Sequence, residues 1–106
     1  MSIIEKQMNL SREMFEINTH VMRRMVEITG EGIKQYMDAN QDYAKKLTEV
    51  RDVTTFVELQ REYGTSLYNG MTERLQTRGE VLKEAFDRSG AALRETFSAE
   101  KEEAAA

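Results

Sequence analysis

The chain has 106 residues, 15 of them basic and 19 acidic, for a net charge of −4 and a pI near 5.1, and it contains no Cys, Trp or Pro. That length supports one small domain at most, and the missing cysteines exclude a disulfide framework, a thiolate metal site and a cysteine nucleophile. An acidic balance without a basic face argues against nucleic acid as a partner, and the lack of proline lets helices run long and unbroken.

In the first half, apolar or aromatic residues return every seven positions: Met1, Met8, Phe15, Met22, then Thr29 as the polar exception, then Tyr36, Tyr43 and Val50. A second set drifts across this stripe, with Met14, Val21 and Ile28 on one flank and Val26, Ile33 and Leu47 on the other. Such drift is what a straight helix of 3.6 residues per turn produces against a count of seven. The pattern predicts one long helix over residues 3–49, with Gly30 and Gly32 its weakest stretch, since each glycine costs about 1 kcal/mol relative to alanine in a helix interior.

A connector follows at about 50–54, where the heptads lapse. Asp52 is placed to cap the next helix through its carboxylate, and Thr55-Phe56-Val57-Glu58 offers a rival capping box. The second helix is expected over about 55–98, with a frayed tail at 99–106, all within a single helical domain of residues 1–106. Two helices of similar length on a short connector favour an antiparallel hairpin. The fold class is therefore all-α: a long antiparallel hairpin of amphipathic helices that assembles into a helical bundle.

The second helix has a different period. Written in elevens from residue 71, the first place holds Met71, Leu82 and Leu93, the fifth holds Leu75, Phe86 and Phe97, and the third holds Glu73, Glu84 and Glu95, with Glu62 one repeat earlier. Eleven residues make three turns at about 3.67 per turn, so these positions stay aligned as one narrow apolar rail. The preceding turns extend it through Phe56, Val57, Tyr63, Leu67 and Tyr68. Leu and Phe at helical spacing most often face a partner helix, in the same chain or across an oligomer, and the same stripe can adsorb to an apolar surface. The contact residues expected on either reading are Phe56, Tyr63, Leu67, Met71, Leu75, Leu82, Phe86, Leu93 and Phe97. Gly79 and Gly90, in register beside the rail, either admit a close approach or are tolerated gaps.

Enzyme signatures are missing: there is no G-x-S-x-G, no Walker loop and no H-E-x-x-H, and the acidic pairs are what a chain with 19 carboxylates shows on solvated faces. His20 has no companion ligand, so neither a metal nor a cofactor is expected. Seven methionines, five of them before residue 30, give a pliable apolar face. No window approaches the roughly 18 apolar residues of a membrane span, and the start MSIIEKQMNL lacks a basic n-region and an apolar h-region, so a cytoplasmic protein without a transmembrane segment is expected.

The opening of the second helix, Val50-Arg51-Asp52 followed by Thr55-Phe56-Val57-Glu58-Leu59-Gln60 and an aromatic at Tyr63, resembles the phasins, proteins that coat polyhydroxyalkanoate storage granules in bacteria. In that family a charged pair and often a proline precede a stretch ending in Leu-Gln, and a long amphipathic helix follows. Here Leu59-Gln60 matches, and Val53 stands where the proline is often seen. The similarity covers roughly residues 10–98. It implies a non-enzymatic coat protein on the granule surface that limits coalescence and helps to set granule size. The alternatives are a small secreted or partner-binding hairpin, resembling the dimers with a Trp-x-Gly turn, and a coiled-coil scaffold; this chain has no tryptophan and no glycine in its connector. A single hairpin buries only one seam, so a homo-oligomer is expected, most simply a dimer forming a four-helix bundle.

Overall fold

Local chemistry explains both helix starts. Ser2 Oγ accepts a hydrogen bond from the backbone N–H of Glu5 at 3.1 Å, with Glu5 itself in the first turn, and α1 runs over Ile3–Leu47. Asp52 Oδ1 accepts from the backbone N–H of Thr55 at 2.7 Å, and α2 runs over Val53–Ala105. The cap at Asp52 starts α2 two residues before the expected 55, and α1 ends at Leu47, two before the expected 49. Between them, Glu49 N–H bonds to the Lys46 carbonyl and Val50 N–H to that of Leu47, tightening the last turn of α1. This connector turns with no positive φ, which is why it has no need of glycine.

The computed structural model describes residues 2–105, with the backbone alone at 99–100 and 102–105. Met1, which opens the heptad series, and the side chains of most of the tail lie outside the described residues; the described backbone stays helical past residue 98. Among the described residues there is no strand, and the fold is an all-α helical hairpin. No described helix is long and apolar enough to cross a membrane.

The chain divides into two compact units, unit 1 from Met1–Met25 with Gly79–Ala106 and unit 2 from Val26–Arg78. In unit 2 the cross-helix pairs are Lys46 with Glu62, Asn40 with Tyr63, Gln35 with Arg74 and Thr29 with Arg78, so one number rises as the other falls and the helices run antiparallel. In unit 1 the same order appears where Lys6, Asn9, Leu10 and Glu13 line one groove with Ala92, Glu95 and Thr96.

The seam of each unit follows the 3–4 spacing of one helix face. In unit 1 it carries Leu10, Met14, Ile17 and Val21 on α1 and Val81, Ala85 and Ala92 on α2, with Ile17, Val81 and Ala92 buried. In unit 2 it carries Ile28, Gln35, Ala39 and Tyr43 against Leu59, Tyr63, Leu67, Gly70 and Arg74, with Ile28 and Leu59 buried. The two flanks of the first helix therefore part company: Met14, Val21 and Ile28 turn inward, while Val26, Ile33 and Leu47 stay exposed.

Helix α1 is unbroken through Thr29-Gly30-Glu31-Gly32. Ile28 is buried just before the pair. At Gly32 the missing side chain is replaced by the Arg74 guanidinium arm, whose Nε lies 2.7 Å from where a Cβ would stand.

Candidate adsorption face

At 100° per residue, the exposed apolar residues of α1 lie to one side of its seam, roughly 120° around the helix. In unit 1 these are Ile4, Met8, Phe15 and Met22, with Phe15 71% exposed. On α2 the rail residues Leu82, Phe86, Leu93 and Phe97 lie roughly 110° from the seam, in the same rotational sense, and Phe86 is 80% exposed. Antiparallel pairing turns the same rotational sense on two helices into the same side of the pair. Unit 1 therefore presents one apolar face two helices wide. Unit 2 presents its own by the same construction, from Val26, Ile33 and Met37 on α1 and Val57, Tyr68, Met71 and Leu75 on α2.

The eleven-residue rail accordingly lies outside the intramolecular seam, which leaves a second copy or an apolar surface among the partners expected for it. Of the nine expected contact residues, Phe56, Met71, Leu75, Leu82, Phe86, Leu93 and Phe97 are exposed. Tyr63 and Leu67 are not grouped with them: they share the Leu59 face at i+4 and i+8, are half-buried, and belong to the seam of unit 2. The Tyr63 hydroxyl donates to Asn40 Oδ1, and its ring stacks at a tilt on Tyr43, centroids 4.8 Å apart. Burial, then the neighbouring Tyr36, pushes the Tyr63 hydroxyl above the ordinary tyrosine range.

The first-helix heptad position can now be followed in space. Met8, Phe15, Met22 and Tyr36 are exposed, whereas Tyr43 has rotated into the seam, where Gln60 Nε2 donates to its hydroxyl. That rotation is the roughly 20° per heptad by which a straight helix departs from a seven-residue repeat.

Opposite the rail lie the glutamates of the same repeat. Glu62, Glu73, Glu84 and Glu95 are all exposed, roughly 180° around α2 from the Leu and Phe positions. Near the connector, Lys46 Nζ sits 3.2 Å from Asp42 and 3.4 Å from Glu62, and the Asp42 hydrogen bond, followed by the charges of both carboxylates, raises its pKa. A shallow groove of about 220 Å³ beside this pair is lined by Ala39, Asp42, Tyr43, Lys46, Leu59, Glu62, Tyr63 and Ser66; it is mixed in polarity and open to solvent. No group of three His, Asp or Glu among the described residues is placed to hold a metal.

A polar clasp in the unit 2 seam escaped the sequence reading. Arg74 Nη1 donates to Gln35 Oε1 at 2.5 Å, the Arg74 arm lies over Gly32, and the Gln35 amide lies over the buried Gly70. Each helix supplies a glycine that makes room for the other's long polar side chain. At Gly79 and Gly90, by contrast, a Cβ would meet nothing within 4 Å, so no close approach within the chain requires them.

An exposed two-helix apolar face with charge on the opposite side suits adsorption to a hydrophobic body. A family model described as phasin protein matches residues 1–97. The chain belongs to the phasin family. Membership makes it, at the family level, a protein associated with polyhydroxyalkanoate granules. No curated protein and no solved structure matches it. In this phasin the match spans nearly all of both helices, including every residue of the rail.

Proposed function

We propose that this phasin coats polyhydroxyalkanoate granules in the cytoplasm as a non-enzymatic surface protein, limiting coalescence and setting granule size. The observation that carries the reading is the rail: Met71, Leu75, Leu82, Phe86, Leu93 and Phe97 are all exposed although the hairpin has a seam available to bury them. Apolar side chains of this size lie against the polymer, and Glu73, Glu84 and Glu95 face water on the far side, where like charge on neighbouring granules resists fusion. Covering about 500 Å² of apolar surface contributes on the order of 12 kcal/mol before ordering and desolvation costs, enough to drive adsorption by one hairpin. Without polymer, the same face is what a second copy covers, so self-association in solution and adsorption compete for it.

The second helix supplies the principal contact, since its rail stays aligned while the heptad of α1 rotates toward the seam. The test is a granule sedimentation assay comparing Leu82→Glu/Phe86→Glu with Met22→Glu/Val26→Glu, all four positions being exposed. Each pair sets two charges against polymer without partners. Both should reduce the bound fraction, the second-helix pair more, with helicity by circular dichroism unchanged. Folded variants that both bind like the parent would remove the coating face, and a diffuse fluorescent fusion in granule-bearing cells would remove the granule.

A further inference from the structure

Four methionines, Met8, Met22, Met37 and Met71, lie on the apolar faces with 50–70% of their surface exposed, while Met14 and Met25 are partly buried toward the seam. Burial in the hairpin gives no reason for thioethers at these four exposed places. We propose that they form a modification site for a peroxide-class oxidant, and that their oxidation holds the protein off the polyester. The proposal rests on the adsorption reading above.

The chemistry is closed. A methionine sulfur attacks the outer oxygen of the peroxide, the S–O bond forms as the O–O bond breaks, the sulfur is oxidised by two electrons, and the peroxide is reduced to water (for an alkyl peroxide, to the alcohol). Sulfoxide reductases reverse the step with two electrons from thiols, releasing the oxygen as water. The product suits this surface poorly for a specific reason. A sulfoxide is a strong hydrogen-bond acceptor with no proton to donate, and an aliphatic polyester offers ester oxygens, which are acceptors too. A sulfoxide pressed onto the polymer therefore loses its water and gains no partner.

The same geometry makes the site state-dependent. On the polymer the four sulfurs are covered and protected; in the free protein they are open to the oxidant. Oxidation thus acts on the unbound pool and prevents rebinding, leaving the seam, and with it the hairpin, in place.

The experiment uses the full chain, hydrogen peroxide and polyhydroxybutyrate particles. Peptide mass spectrometry should show sulfoxide at Met8, Met22, Met37 and Met71 ahead of Met14 and Met25, and particle binding should weaken by at least about tenfold while circular dichroism holds. Whatever its own affinity, a variant with all four positions changed to Leu should show the same bound fraction with peroxide as without it. Fully oxidised protein that binds as tightly as untreated protein overturns the proposal. So does a Leu variant that still loses binding on oxidation, because other sulfurs are then responsible. Untreated protein that fails to bind at all removes the adsorption reading and this proposal together, a result distinct from either.

Discussion

Unit 2, which contains the connector, and unit 1, which contains both ends of the chain, line their seams with different side chains. Unit 1 sets Leu10, Met14, Ile17 and Val21 against Val81, Ala85 and Ala92, with Lys6, Thr19, Arg24 and Thr96 half-buried. Unit 2 buries Ile28 and Leu59 and adds the part-buried Gln35–Arg74 and Asn40–Tyr63 hydrogen bonds, the exposed Thr29–Arg78 bond and the stacked Tyr43–Tyr63 rings. The exposed aromatics differ too: Phe15, Phe86 and Phe97 in unit 1, Phe56, Tyr36 and Tyr68 in unit 2. The difference teaches that a hydrogen-bonded seam leaves fewer ways to slip. Aliphatic packing accepts neighbouring registers at modest cost, whereas a misregistered Arg74 would leave Gln35 unpaired and meet a Cβ in place of Gly32.

The largest expected effect tests whether the two seams respond alike to the loss of a buried apolar side chain. Among the described residues, Ile28 is the largest fully buried side chain. Ile28→Ala should cost about 3 kcal/mol in chemical denaturation, from lost transfer energy and the cavity left behind. Ile17→Ala in unit 1 should cost less, because flexible Met14 on the same face can move into part of the space. Equal losses would show that the two seams respond alike, and a larger loss at Ile17 would reverse the comparison.

How much of this was legible follows from what periodicity detects. Large apolar residues at a fixed spacing announce themselves, so α1, α2, the Asp52 cap and the eleven-residue rail could all be read from the chain. The seam of α2 could not. Past Leu67 it runs through Gly70, Arg74, Thr77, Val81, Ala85 and Ala92, residues that a search for Leu and Phe passes over, so the rail was expected to meet a partner helix, in the chain or across an oligomer, or an apolar surface. The only signal for the clasp was two glycines, Gly32 and Gly70, each within four residues of a long polar side chain on its own helix. Gly32 instead read as a weak point. Tyr63 and Leu67 were assigned to the rail because the turns before residue 71 carry apolar side chains on two faces at once.

Glycine substitutions sharpen the comparison at a smaller scale. At Gly79 and Gly90, in unit 1, an added Cβ meets open space, so Gly79→Ala and Gly90→Ala should each stabilise by up to about 1 kcal/mol through helix propensity. At Gly70, in unit 2, the Gln35 amide occupies that space and is held there by Arg74. Gly70→Ala should gain little or lose, and should recover the gain when made on Gln35→Ala, which clears the site. A double-mutant cycle read by thermal unfolding measures this coupling. A cycle that closes with no coupling would mean that Gln35 swings aside freely and that the clasp does not fix the register.

The smallest expected effect concerns the closed end of unit 2 and its dependence on pH. The backbone N–H of Thr55, and then its hydroxyl, hold the Asp52 carboxyl below its ordinary range. A depressed value in the folded state means that the unfolded chain takes up the proton first on acidification. The contribution of the cap is therefore complete above the unfolded carboxylate value of about 3.9 and disappears as the pH falls through the lower folded value. Asp52→Asn keeps an oxygen acceptor at the cap and removes only the charge, whereas Asp52→Ala removes both. At neutral pH the parent should unfold a few degrees above the Ala variant, with the Asn variant between them. On acidification the parent and the Asn variant should converge, because a protonated Asp52 is then as neutral as the amide. Melting temperatures followed from neutral pH down to about pH 2 test this. A gap between parent and Asn variant that persists at the acid end would mean that the carboxylate charge is not what the cap uses, and the start of α2 would then rest on the oxygen's position alone.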